Sequence, residues 1–476
     1  MPILVVFFNT TKGKECSTVL FAGIDWADRW LDIAVLDKAG RPLLEQRIVY
    51  ATTPDPVASY LALLQPLARR WRSTVTGIEE TGLPFARALS AADMKVVHVD
   101  PTRAARHRTA LGIPKNDRAD ARMIADLARQ GVARAVVDST PQSQALRVMT
   151  HAHRAAVRDR MAATHALRAT LSRAWPNAIA AWPATRGGLG NPQALAVLLA
   201  APGPRAASRL TRAQLADLLR GAGRTRGTDR EAERLQLHFR RPAMLLHPLV
   251  EEAEAVRVAD LTATLAAAAD RAARLEAQIA DYYARQQHHY ITAGIPGIGT
   301  ILGAQIISEI GDRPHERFGS GRALAAYAGV APVTWASGTT ARVSLRRASS
   351  TLLRSTLHLA AFSWAMHSPG ASDYYRKRRE AGDAHATALR KVGRRLVLCL
   401  YHCMTTETPY NDAAAFGYAP GEAPVLGRKP PLGDAEIAHG RKLLLAPGST
   451  IAEVGRELGV SPQTIRRYVL GEPRSR

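Results

Sequence analysis

Apolar and polar positions alternate into short segments over the first hundred residues. An apolar run at 19–25 is followed by a turn at 27–30 and a second run at 31–36 (LDIAVL). Asp37-Lys38-Ala39-Gly40 reads as a hairpin loop leading into 42–49, so three strands are expected between 18 and 49. A helix is predicted over 55–70, because Val57, Tyr60, Leu61 and Leu64 share one face. A strand at 73–79, a helix at 84–92 and a strand at 95–99 (KVVHV) complete the region. A meander followed by alternating α and β predicts a mixed sheet with helices packed on it.

Past residue 116 the strand pattern largely stops. One long helix is expected over 143–175, ended by Pro176. A second begins near Glu251, where Val258, Leu261, Leu265, Ala268, Ala272, Leu275, Ile279 and Tyr282 alternate spacings of three and four. That is an a/d seam, and it predicts coiled-coil packing against either the first long helix or another subunit. The stretch 185–245 is rich in Gly, Pro and Arg and reads as an insertion with mobile loops and a helix capped at Thr211. From Ile291 a compact helical domain begins with Gly294-Ile295-Pro296-Gly297-Ile298-Gly299, either a phosphate-facing turn or a packing turn. Residues 417–433 are Pro/Gly-rich and read as a linker. At the end, Ser449-Thr450 caps a helix, Gly459-Val460-Ser461 turns, and Pro462 opens a second helix bearing Gln463, Thr464, Arg466 and Arg467. This pattern predicts a helix-turn-helix whose second helix meets DNA. The expected domains are thus 18–140, 141–290, 291–407, the linker, and 434–476.

Charge narrows the partner. Lys plus Arg number 64 against 41 Asp plus Glu, a net charge of +23, and only nine of the basic residues are Lys. An Arg-dominated surplus favours a polyanion, with nucleic acid first among them. Cys16, Cys399 and Cys403 are too few for a disulfide framework and fit a reducing compartment. Cys399, His402 and Cys403 lie one helical turn apart but lack a second metal-spaced pair, so they read as buried helix residues. The apolar run at 2–8 lacks the basic flank and cleavage site of a signal peptide, and no stretch approaches a membrane span. A soluble, cytoplasmic protein is expected.

The carboxylates suggest chemistry. Asp25 ends an apolar strand (FAGID), where an unpartnered burial would be costly. Glu79 ends a second strand (VTGIE), with Glu80 as an equal rival. Asp117 and Asp120 share a face at a helix start, although Asp117 also suits an N-cap. Convergence of the four would make an oxygen-rich site for two divalent cations, with Mg²⁺ as the expected metal.

Gly23-Ile24-Asp25, Glu79-Glu80-Thr81-Gly82 and Lys115-Asn116-Asp117-Arg118-Ala119-Asp120 together resemble the DEDD transposases of the insertion-sequence-110 family. The later pieces fall in the family's order: Trp175-Pro176, the heptad helix, Ile295–Gly299, then Leu324-Ala325-Ala326-Tyr327-Ala328-Gly329-Val330-Ala331-Pro332. The resemblance spans about residues 20 to 405. It implies a RuvC-like, ribonuclease-H-type N-terminal domain and selects Glu79 over Glu80 through its E-x-T-G motif. It also implies a nucleophilic serine in the helical domain, which falls on Ser337-Gly338. From the residues alone Ser337 reads as a turn serine, with Ser320, Ser344, Ser349 and Ser350 as rivals.

Attack by a serine hydroxyl on a DNA phosphate would leave a phosphoserine that conserves the bond for rejoining. Arg342, Arg346 and Arg347, then Arg354 and the run Arg376-Lys377-Arg378-Arg379, are candidate phosphate contacts, unless the run is an ordinary solvated face. The expected activity is transposition of an insertion sequence by strand cleavage and exchange, on donor and target DNA, in a homodimer or homotetramer at the bacterial nucleoid. The resemblance further implies a structured bridge RNA as guide. The C-terminal helix-turn-helix departs from the shorter family pattern. A metal-dependent junction nuclease and a non-catalytic DNA-binding regulator are the competing readings.

Overall fold

The computed structural model describes residues 19–80, 84–136, 139–242, 245–338, 340–344, 346–419, 422–424, 432, 434–445 and 449–470. Cys16, the 2–8 run, Thr81-Gly82 and most of the 417–433 segment lie outside them. The chain divides into two compact units, Met1–Thr140 and Pro141–Arg476.

The first unit is a mixed sheet covered on both faces. Strands β1 (Phe21–Trp26), β2 (Leu31–Leu36) and β3 (Pro42–Ile48) form the expected meander. Helix α1 (Pro56–Leu64) stops well short of 70: Gln65 is still helical, but Pro66 has no N–H to continue the ladder. After it come β4 (Val75–Ile78), α2 (Pro84–Ala91), β5 (Lys95–His98), α3 (Pro101–Leu111) and α4 (Asp117–Arg129). A two-residue strand β6 (Arg134–Ala135), too short to leave a sequence pattern, closes the edge. The sheet order is β3-β2-β1-β4-β5-β6, with β1, β4 and β5 mutually parallel and the remaining pairs antiparallel. This mixed α/β layout is consistent with a RuvC-like domain.

Each face has its own core. Ile24, Ile33 and Ile78 pack with Tyr60 and Leu64 of α1 and Phe85 and Leu89 of α2. On the other face α4 lies across β1, β2 and β4, burying Met123, Ile124 and Leu127. Two glycines permit the close approach. A Cβ on Gly23 would sit 2.1 Å from the Ala121 carbonyl oxygen, and one on Gly77 3.0 Å from Ile124 Cγ2. Gly23 and Gly77 are paired partners in the β1–β4 register, so helix and strands cross where no side chain intervenes.

The second unit is helical apart from one hairpin. Its long helices α5 (Pro141–Ala174) and, further on, α11 (Pro248–Ala284) pair antiparallel. Gln286 just beyond α11 donates to the Gln142 carbonyl, Ile279 clusters with Leu146, and Arg271 pairs with Asp159. The partner of the heptad helix is therefore α5. Val258, Leu265, Ala272 and Ile279 are buried at intervals of seven, as the seam requires. At both ends the second seam position falls one residue later than expected, with Thr262 and Tyr283 buried, Leu261 half-buried and Tyr282 exposed; between them Ala268 and Leu275 are half-buried and Glu276 is exposed.

Between them, the described part of 185–245 is mostly helix rather than mobile loop. It contains α7 (Pro192–Ala200), α8 (Pro204–Arg209), α9 (Arg212–Gly221) and α10 (Thr228–Phe239), after the short α6 (Pro176–Ala181). The prolines that suggested loops occupy the first helical turns of α7 and α8, where a missing N–H costs nothing. Thr211 forms a full capping box with Gln214. Leu198, Leu215, Leu219 and Leu235 share one core with Leu167, Leu171 and Leu265 of the long pair.

The rest of the unit comprises α12 (His289–Ala293), α13 (Thr300–Ile310), α14 (Pro314–Phe318), α15 (Gly321–Tyr327), the hairpin β7 (Val333–Ser337) and β8 (Thr340–Ser344), α16 (Thr351–His367), α17 (Pro369–Glu380), α18 (His385–Thr406) and α19 (Asp412–Phe416). Ile306, Leu324, Leu357, Trp364 and Leu396 anchor its core. The Gly294–Gly299 segment is a packing turn: a Cβ on Gly297 would meet the Ser363 carbonyl at 2.7 Å, and Ser363 Oγ donates to the Gly297 carbonyl at 2.6 Å. The C-terminal helices α20 (Asp434–Leu444), α21 (Ile451–Glu457) and α22 (Pro462–Tyr468) close over Leu432, Val454, Ile465 and Val469. Thr450 and Glu453 form a capping box at the start of α21.

Candidate active site

Strand alternation decides which side chains face α4. Gly23 faces it, so Asp25, two residues on, points to the same side, and the same parity carries Gly77 to Glu79. Asp25 lies within β1, one residue before its end, and Glu79 directly follows β4. Asp32 stands opposite Asp25 in the β1–β2 register and therefore shares its face. The helix enters from its N-terminus: Asn116, not Asp117, is the N-cap, its side chain accepting from Ala119 N at 2.9 Å. That leaves Asp117 and Asp120 in the first turn, beside the Gly23 crossing, where the helix dipole favours negative charge.

Electrostatics registers the convergence. Burial, then the charges of Asp120, Asp117, Glu79 and Asp32, push the Asp25 carboxyl up to about 7. Glu79 is also raised, by burial first and Asp120 second, with Arg108 opposing. Of the rival pair, Glu79 is half-buried and Glu80 exposed. The four acidic residues named from the sequence thus act on one another, and Asp32 belongs with them.

Two arginines engage this cluster. Arg108 of α3 places Nε at 2.9 Å and Nη2 at 2.7 Å from Asp120 Oδ1. Arg47 of β3 holds the buried Asp32 through Nε at 3.1 Å and Nη2 at 2.6 Å, and Nη2 lies 3.5 Å from Asp117 Oδ2. Trp30 Nε1 donates to the same Asp117 oxygen at 3.2 Å, and the Arg47 guanidinium sits 4.5 Å from the Trp30 ring centre. With these oxygens turned to arginine and indole, no three His, Cys, Asp or Glu groups among the described residues already form a metal cage. The donors are nonetheless all hard carboxylate oxygens, and Asp25 carries like-charge repulsion that a divalent cation would relieve. The chemistry of the set fits such an ion.

Sequence reasoning missed Asp32, Arg47 and Arg108. A signal existed for the first: an acidic residue inside the apolar run LDIAVL, expensive to bury without a partner. The arginines were hidden among many others.

In the second unit Ser337 is the last residue of β7, exposed at the hairpin tip, and its carbonyl accepts from Thr340 Oγ1 at 2.9 Å. Gly338 adopts φ +55°, a left-handed turn that glycine accommodates. Of its rivals, Ser320 is the N-cap of α15, Ser349 donates to the Arg346 carbonyl, and Ser350 is the N-cap of α16 and donates to Glu309 Oε2 at 3.3 Å. Arg347 is exposed, Arg346 Nε is buried without a hydrogen-bond partner among the described residues, and Arg354 donates to Ser349 Oγ at 3.3 Å. The side chains of Arg342 and Arg467 lie outside the described set. The basic run on α17 is largely spoken for: Arg376 and Lys377 pair with Asp373, Arg378 with Asp383, and Arg379 donates to the Asp383 carbonyl. On α22, Gln463 and Arg466 are exposed, while Thr464 bonds to Ser461 Oγ. Cys403 is buried and Cys399 half-buried, whereas His402 between them is exposed.

Comparison with known proteins identifies the family. Residues 22–176 match a model of DEDD transposases of IS110 type, described as transposase, and residues 290–376 match the transposase IS116/IS110/IS902 family. A Streptomyces coelicolor protein named "Mini-circle putative transposase for IS117" is 36% identical over 410 residues, covering 84% of this chain and 98% of the relative. The chain belongs to the IS110-family transposases. A second member, the 44.8 kDa protein of insertion element IS116 from Streptomyces clavuligerus, is 28% identical, covering 83% of this chain and 96% of its own. Family membership implies DNA substrates, strand cleavage and strand transfer. Among the described residues no helix is long and apolar enough to cross a membrane.

Proposed function

We propose that this IS110-family transposase moves its insertion sequence by using Asp25, Glu79, Asp117 and Asp120 as ligands for divalent metal, expected to be two Mg²⁺ ions, and Ser337 as nucleophile. The observation that carries the first half is the mutual action of the four carboxylates, expressed in the raised Asp25. Bound metal would supply positive charge where a scissile phosphate gains negative charge. The carboxylates hold that charge in place, Asp25 giving up its proton as ligand.

Ser337 Oγ attacks phosphorus, a P–O(Ser) ester forms, and one P–O bond of the strand breaks. The Ser337 hydroxyl gives its proton to solvent, and the departing deoxyribose oxygen takes one from solvent and leaves as a hydroxyl. Attack by a hydroxyl of another strand reverses the step and frees Ser337, so no external energy source is needed. The exposure of Ser337 at a hairpin tip supports access to a strand. Arg347 and Arg354 would add charge at the phosphates, as would Arg342 and Arg346, and exposed Gln463 and Arg466 suit a DNA-facing α22. The net charge of +23 accommodates a bridge RNA as guide in addition to two DNA partners. Cutting and joining two duplexes calls for a homodimer or homotetramer.

Denaturing gels of the wild type with element-end DNA should show a covalent protein–DNA adduct that Ser337→Ala abolishes. An adduct persisting in Ser337→Ala moves the nucleophile elsewhere. Retained element mobility in Asp25→Asn together with Asp117→Asn removes the carboxylate half of the proposal.

A further inference from the structure

The helical second unit carries a cavity of about 680 Å³ beside α17, α18 and α19, a volume in the range of small-molecule sites, roughly 300 to 1,000 Å³. Its composition is two-sided. Leu398, Cys399, Cys403 and Pro409 form apolar wall, and Tyr374 and Tyr410 bring aromatic rings. Lys391, Arg394, Arg395 and His402, spaced by three, one and seven along one side of α18, bring cationic or protonatable groups. No carboxylate is among the described lining residues.

The cavity is also built in advance. The Tyr410 hydroxyl bonds to Asp412, and its ring meets the buried Trp364 edge-on at 6.0 Å. The Arg395 guanidinium is 5.3 Å from the Tyr374 ring centre and donates to the Ala415 carbonyl at 3.0 and 2.6 Å. Lys391 is tied to Asp383 at 2.7 Å. Arg394 is different: it is exposed and makes no ion pair or hydrogen bond with a described residue. Burial pushes the Cys399 thiol up to about 11, so this thiol adds no negative charge near neutral pH, and the Asp412 carboxylate behind Tyr410 is engaged by Ser368, Tyr410 and Tyr418.

A free phosphate would need the cations but not an aromatic, apolar chamber. An uncharged aromatic would fill the chamber and leave Arg394 idle. A ligand flat and apolar at one end and anionic at the other uses both, and base stacking beside a cationic track is how single strands are held. We infer that this pocket receives one unstacked nucleotide of a DNA strand, its base against Tyr374 and Tyr410 and its phosphate on Arg394. The inference rests on the chain acting on DNA, and on neither the carboxylates nor Ser337.

The test uses the full chain in EDTA, with fluorescence anisotropy of an oligothymidylate and of the same strand bearing abasic tetrahydrofuran residues. The wild type should prefer the base-bearing strand by about tenfold. Ala414→Trp, at an exposed lining position, should bring that ratio to about one and leave affinity for the abasic strand unchanged. His402→Trp fills the pocket from α18 and should do the same, which covers the case where α19 rearranges. Arg394→Ala should weaken both strands alike, with Arg394→Lys restoring most of the affinity. Absence of a preference in the wild type, or a preference that survives both fillings, overturns the pocket. A larger base-dependent preference with oligouridylate, abolished by the same fillings, overturns the assignment to DNA. Failure of the full chain to bind either strand would instead strike at the DNA-acting reading itself.

Discussion

Replacing Asp25 by Asn should stabilise the metal-free protein at alkaline pH, the opposite of the usual effect of mutating a half-buried side chain. The folded-state carboxyl is raised from 3.8 to about 7, by burial and then by Asp120, Asp117, Glu79 and Asp32. For an acid raised on folding, the native state binds more protons than the unfolded state between those values. Its contribution to stability is complete below about pH 4 and is lost as pH climbs through about 7. Three units correspond to a ceiling of about 4 kcal/mol. Asp25 is only half-buried, so solvent screening reduces this to about 2 kcal/mol. For a unit of this size that is a rise in melting temperature of roughly 5–10 °C. Scanning calorimetry of the full chain in EDTA at pH 8 should show Asp25→Asn melting higher than wild type, with the gap closing toward pH 4. Added Mg²⁺ should stabilise the wild type more than the variant. A variant that melts lower at pH 8, or a gap that ignores pH, would refute the claim that the carboxylates repel one another here.

Other parts of the structure are as readily tested. Gly23→Ala puts a methyl 2.1 Å from the Ala121 carbonyl oxygen; urea unfolding should show a loss of about 3 kcal/mol or more. Arg108→Ala strips the partner from the buried Asp120 and should cost about 3 kcal/mol in EDTA, a loss that Mg²⁺ titration followed by thermal melting should recover in larger part than any gain in wild type. Leu265→Ala opens a cavity in the seam between α5 and α11 and should cost about 2–5 kcal/mol, read as a lower urea midpoint. Thr450→Ala removes a capping box at α21, and amide exchange there should quicken by about fivefold, matching roughly 1 kcal/mol.

The legible parts of this molecule are those where one residue type answers one local demand. Alternation gave the meander and placed Asp25 and Glu79 at strand ends. Seven-residue spacing gave the α11 seam, although the ends of its second row fall on Thr262 and Tyr283. Where a residue answers two demands, the pattern misleads. The prolines of 185–245 signal loops in a sequence, yet in the fold Pro192 and Pro204 begin helices. Thr262 is polar but buried, its hydroxyl bonded to the Val258 carbonyl at 2.6 Å, which an apolar template passes over.

The least legible feature is how the acidic cluster balances its charge. Acidic residues can be counted along a chain, but their cations come from β3 and α3, and nothing in the local pattern of either element marks Arg47 or Arg108 as the partner of an acid. Five carboxylates, Asp25, Asp32, Glu79, Asp117 and Asp120, meet two arginines, which leaves an excess of three negative charges if all are ionised. Asp25, lacking an arginine of its own among the described residues, is the group that holds a proton near neutral pH in response. Two divalent ions would turn that deficit into a single positive excess, and one phosphodiester would cancel it. On the proposed reading, the arginines would set the cluster's charge so that it is short of cations when empty and short of one phosphate when loaded with two ions. A site built from four carboxylates without Arg47 and Arg108 would be either less stable empty or nearly neutral when loaded, and less selective for an anion.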